Sequence, residues 1–83
     1  MSGADFAAFH RDLFDRHYQF AGTLLRTNLI WPALEHCLKC SHLFNILDSS
    51  GSIGVTERTT YILRVRQLAV KIARAYVEQG AGA

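Results

Sequence analysis

An all-α fold, a three-helix bundle-like domain with short loops and a disordered C-terminal tail, is what this sequence predicts, and three observations carry that expectation. Apolar residues recur at helical spacing through three long segments. The chain has a single proline. Five of its six glycines fall in the N-terminal leader, the 51–54 loop and the Gly80-Ala81-Gly82-Ala83 end, outside the periodic segments. With 83 residues there is room for one helical domain over 1–79 and a flexible tail over 80–83, and a core this small buries only about 60% of the unfolded surface. Contact with partners is therefore an expected source of stability.

The first helix is expected from about residue 5 to 26, because Phe6, Phe9, Leu13, Phe20 and Leu24 recur on one side with His17 between them. Gly22 costs about 1 kcal/mol against alanine inside a helix, so it marks either close packing or fraying. Pro32 suits the first position of a second helix, where its missing N–H has no intrahelical acceptor, and that helix is expected over about 32–48. Leu34, Cys37, Leu38, Cys40 and Phe44 form its inward side, with Ser41, Asn45 and Asp48 as a polar line in the same arc. Residues 49–54 are rich in turn formers, and Thr56 reads as an N-cap with Glu57 beside it at the positive helix end. The third helix is expected over about 56–78, with an inward stripe of Tyr61, Val65, Leu68, Ile72 and Tyr76.

A second apolar row, Leu63, Val70 and Val77, repeats every seven residues nearly opposite that stripe. Leu43 and Ile46 likewise point away from the inward side of the second helix. Two apolar faces cannot both meet one small core, so these five residues form a candidate interface for a partner.

Net charge is +2, too small for a nucleic-acid footprint, so direct RNA contact is neither implied nor excluded. Arg64, Lys71 and Arg74 share a flank of the third helix that lacks interleaved aromatics and reads as solvated. No apolar run reaches the roughly 18–20 residues of a membrane span, and no secretory signal is evident; a cytoplasmic location is the expectation.

Cys37 and Cys40 form a Cys-x-x-Cys pair flanked by His36 and His42. All four lie in one expected helix with no second ligand pair, and His36 points away from Cys37, so buried core thiols are favoured over a metal or redox centre. His10 and His17 share a side but are separated by about 10.5 Å of rise, too far to hold one ion. No catalytic centre and no phosphate-binding loop can be assembled from the motifs present. The favoured polar constellation is structural: Asp48 and Arg58 flank a short loop and can pair, with Asn45 and Thr56 tying loop backbone groups, to make a latch.

The run Lys39-Cys40-Ser41-His42-Leu43-Phe44-Asn45-Ile46-Leu47-Asp48, followed by Gly51 and Ile53-Gly54-Val55-Thr56-Glu57-Arg58, resembles the helical C-terminal region of the alpha subunit of bacterial heterotetrameric glycyl-tRNA synthetase. Asn45, Asp48, Thr56, Glu57 and Arg58 match that pattern directly, whereas Ser50 stands in place of an arginine and Gly54 in place of a serine. The resemblance implies a chain that supports glycine activation and tRNA charging through domain and subunit contacts. It implies as partners the synthetase beta subunit and/or the alpha subunit's own catalytic domain. ATP and magnesium are implied for the full enzyme, but the sheet-borne motifs that would bind them are not among these residues. This chain alone is expected to be inactive, a piece of the larger assembly. The alternative is a stand-alone helical interaction module that self-associates as a homo-oligomer.

Overall fold

In the computed structural model, which describes residues 2–81, three helices follow one another: α1 Gly3–Arg26, α2 Ile30–Ser49 and α3 Val55–Ala81. The body is elongated, 50 × 22 × 14 Å. α1 and α2 form an antiparallel hairpin with the most extensive contact, α3 leans mainly on α2, and α1 and α3 touch least. α2 is therefore the central element.

Each helix starts and stops for a local reason. Ser2 caps α1: its hydroxyl accepts from the Asp5 N–H at 3.1 Å and donates to the Asp5 carboxylate at 2.9 Å. This Ser-x-x-Asp box starts the helix two residues earlier than the apolar periodicity alone suggests. α1 ends in a Schellman turn, with Leu29 N–H donating to the Leu24 carbonyl and Asn28 N–H to that of Leu25. Asn28 takes the left-handed position at φ 62°. α2 ends the same way, Ser52 N–H reaching the Leu47 carbonyl and Gly51 N–H that of Asp48, with Gly51 at φ 69°. The motif that joins Lys39–Asp48 to Val55–Arg58 is thus a helix stop that requires a left-handed residue, which glycine supplies at no steric cost.

The other two starts also differ from expectation. Leu29 is the N-cap of α2, so Pro32 occupies the third helical position, still among the residues whose N–H has no intrahelical partner. α3 begins at Val55, and the Gly54 carbonyl accepts from the Arg58 N–H at 2.8 Å; Thr56 lies inside the first turn and is not the cap. α3 also runs past residue 78 to Ala81, so the first part of the expected tail is helical, and residues 82–83 lie outside the described residues.

The core is two touching groups. One joins Ala21, Leu24, Ile30, Ala33, Cys37, Leu68 and Ile72, and the other Phe14, Cys40, Leu43, Leu47 and Tyr61. In α1 the inward line is Phe14, Ala21 and Leu24, while Phe9 and Phe20 are about half exposed. The expected aromatic stripe is turned by roughly 60° from the real one, because close approach of α1 and α2 favours small Ala21 and Ala33 at the contact and pushes Phe9 and Phe20 to the margin. In α2 Leu43 is buried at 2% exposure and Leu38 is exposed at 61%, both opposite to expectation. The reason is that α2 has a neighbour on each side: His36 and Cys40 face α1, whereas Phe44 and Asp48 face α3. Its buried arc is wider than one helix face. The expected inward polar line lies at the edge, with Ser41 and Asp48 half-buried and Asn45 exposed. The inward stripe of α3 holds for Tyr61, Val65, Leu68 and Ile72, but Tyr76 is 56% exposed and rests edge-on against Trp31.

A side chain added at Gly22 would meet nothing nearer than the Arg26 guanidinium at 3.8 Å, so this glycine is not required for close packing. Gly22→Ala is expected to stabilise the fold by about 0.5–1 kcal/mol through helix propensity, read as a higher denaturation midpoint with unchanged slope.

Candidate functional site

Asp48 at the end of α2 and Arg58 at the start of α3 meet at 3.2 Å across the Gly51 turn. Neither Asn45 nor Thr56 contributes a side-chain hydrogen bond to the loop among the described residues, so that part of the expected latch does not form. A second clasp, not foreseen from local sequence, holds the same loop to α1. One Arg11 guanidinium nitrogen donates to the Ser52 carbonyl and to Glu57, both at 2.8 Å. Ser50 donates to the Leu47 carbonyl and pairs with the Ser52 hydroxyl. Arg11 and Glu57 are 46 residues apart, a pairing that only the packed arrangement creates.

Arg64 corrects the expectation of a solvated basic flank. Its guanidinium pairs with Asp15 at 3.0 Å and lies 4.5 Å from the Tyr18 ring and 4.8 Å from the Phe14 ring. It joins α3 to α1 where those helices otherwise touch least, and a planar cation suits the aromatic faces below it. Lys71 and Arg74 are exposed, as expected.

Cys37 and Cys40 are buried free thiols. Burial pushes both up, Cys40 to about 12, and the Cys40 thiol donates toward the Phe14 carbonyl at 3.7 Å. They behave as small core residues rather than reactive thiolates. Among the described residues, no group of three or more histidine, cysteine or acidic side chains could hold a metal ion. His10 bonds the Phe6 carbonyl through Nδ1 and packs at a tilt against the Phe6 ring. His17 instead meets His36 of α2, Nδ1 to Nδ1 at 2.8 Å, and Phe20 packs edge-on against His36. His36 does point away from Cys37, and α1 is what it points toward. Partial burial, then His36 and Lys39, lower the His17 value from its ordinary 6.5.

The candidate interface splits. Leu63, Val70 and Val77 are 50%, 43% and 65% exposed along the outer side of α3. Ile46 is half-buried, and Leu43 belongs to the core and is not available. Sequence periodicity missed the exposed apolar residues Trp31 and Leu38 on α2, at 65% and 61%. With Tyr76 and Val77, Trp31 lines an apolar groove of about 310 Å³ between α2 and α3. No helix among the described residues is long and apolar enough to cross a membrane.

These features define a helical domain in which a few polar side chains, Arg11, Arg58 and Arg64 among them, tie helices together and whose exposed large apolar residues lie for the most part on α2 and α3. A model of the glycyl-tRNA synthetase alpha subunit family matches residues 2–81, and the chain belongs to that family of aminoacyl-tRNA synthetase subunits.

Two outcomes test the polar contacts. Arg64→Ala should destabilise by about 1–2 kcal/mol through lost packing and cation–π contact, whereas Arg58→Ala, at an exposed pair, should cost only about 0–1 kcal/mol; denaturant titration compares them. The His17–His36 bond needs one donor and one acceptor nitrogen. Because the folded value of His17 lies below 6.5, the unfolded chain takes up that proton first as pH falls. This contribution to stability should be full above about 6.5 and be lost as pH falls from there through the lowered folded value. Melting temperatures across pH 5–8, about the range in which histidine changes charge, should show this slope, flattened in His17→Gln.

Proposed function

We propose that this domain serves glycyl-tRNA synthetase as a bracing and docking element, supporting glycine activation and tRNA charging through contacts rather than through catalytic groups of its own. The observation that carries the reading is the outer row of α3. Leu63, Val70 and Val77 are 43–65% exposed on a helix whose opposite side is already committed to α2, in a chain of a synthetase subunit family. Burying apolar surface is worth roughly 25 cal/mol per Å², so a row of this kind favours a protein partner. The partner in this reading is the beta subunit or the catalytic part of the alpha subunit. Trp31 and Leu38 extend the apolar surface onto α2, with Ile46 only partly accessible.

The two ion-pair clasps at the 50–57 turn suit bracing, since they hold α3 at one angle to the α1–α2 hairpin and so hold the docking row in one orientation. ATP, magnesium and glycine belong, by family resemblance, to a catalytic sheet, and none of the residues described above is given a role toward them.

Light scattering after size exclusion, with the chain alone and mixed with a glycyl-tRNA synthetase beta subunit, tests the proposal. A stable complex is expected, and Leu63→Glu with Val70→Glu should abolish it while leaving helix content by circular dichroism nearly unchanged. Retained association in that double variant removes these residues from the interface. A homo-oligomer indifferent to the beta subunit favours the self-associating module instead.

A further inference from the structure

The outer row of α3 is not electrically neutral. Leu63, Val70 and Val77 are bordered by Arg66, Lys71 and Arg74, all exposed, with Glu78 the single acid beside them. Among the described residues none of these three cations is in an ion pair, in contrast to Arg11, Arg16, Arg58 and Arg64. The row extends over roughly 21 Å of helix at 1.5 Å per residue. A shallow hollow of about 420 Å³ runs between Leu63, Val70, Arg66 and Arg74, and another of about 340 Å³ continues past Val77. The apolar and the cationic groups therefore line one continuous strip.

Resting on the docking reading above, we infer that this strip takes an amphipathic helix from another polypeptide, one whose apolar ridge is flanked by carboxylates. The charges select against a second copy of the chain. An antiparallel pairing of two α3 helices centred on Val70 sets Arg66 of one copy against Arg74 of the other, and does so twice. A parallel in-register pairing sets Arg66 against Arg66. Like charges brought together at an interface oppose the pairing, and neither arrangement sets an acid directly opposite them. An acidic helix meets the same geometry with attraction at each of those positions. Because the cations lie at the rim and not beneath the apolar row, their effect is on encounter and partner choice and is weakened by salt.

Calorimetric titration of a glycyl-tRNA synthetase beta subunit into this chain at low and at high salt tests the inference, beside sedimentation of the chain alone. Arg66→Glu with Arg74→Glu should weaken binding about tenfold or more, Arg66→Lys with Arg74→Lys should keep it, and high salt should weaken the parent complex but not the reversed variant. The chain alone should be monomeric. If Leu63→Glu with Val70→Glu abolishes binding while charge reversal leaves it unchanged, the docking reading stands and the acidic partner is overturned. Binding untouched by either pair of substitutions places the contact elsewhere and overturns the inference. A dimer of the chain alone that is lost on Leu63→Glu with Val70→Glu makes a second copy the occupant and overturns it too. Absence of beta-subunit binding in the parent chain overturns the docking reading and the inference with it.

Discussion

Both core groups pass through α2, and that constraint shapes everything else. With α1 on one side and α3 on the other, α2 contributes Ile30, Ala33, Cys37, Cys40, Leu43 and Leu47 to the interior, a wider arc than a helix with one neighbour would bury. α1 and α3 are left in slight contact, so their relative placement rests on few groups. Tyr61, edge-on against Phe14, is one, and Arg64, with its carboxylate partner and aromatic bed on α1, is a second. Arg11 is another, reaching from α1 to the turn before α3. These ion pairs are partly exposed and individually weak, but they act where hydrophobic packing is thinnest.

Because α3 is gripped along one side only, its other side remains open to a partner. A three-helix arrangement in which every helix touched the other two equally would have left less of α3 uncovered. The arrangement found here is closer to a hairpin with a third helix laid against one of its members, 50 Å long and only 14 Å in its thinnest dimension. Such a body has much surface for its core, and membership in a synthetase subunit family accords with stability supplied in part by an assembly. The two turns fit the same picture. Each closes with a left-handed residue and paired backbone bonds, so the helices are joined without slack and the outer strip of α3 is presented in a fixed direction.

Much of this was legible in the residues. Three helices, their turns, the inward side of α3, the exposed row of Leu63, Val70 and Val77, the burial of Cys37 and Cys40 and the Asp48–Arg58 contact all follow from local periodicity or from separation by one short loop. Local signals also existed for two starts that were misplaced: the Ser2 and Asp5 capping box, and Gly54 ahead of Val55. What was not legible depended on neighbours. The rotation of α1 that buries Ala21 and exposes Phe20 is set by how closely two helix backbones approach, and size-blind counting of large apolar residues cannot reveal it.

The sequence by itself determined the helical class, the family and the existence of a second apolar row, because helical spacing and the Lys39–Arg58 run are properties of neighbouring residues. Only the tertiary structure decided that Leu43 is core, that Arg64 leaves the basic flank to lie on Phe14 and Tyr18, that Arg11 clasps Glu57, and that His17 meets His36. Each of these turns on which helix faces which, and that choice is made by the summed packing of all three helices, not by any stretch of chain read alone.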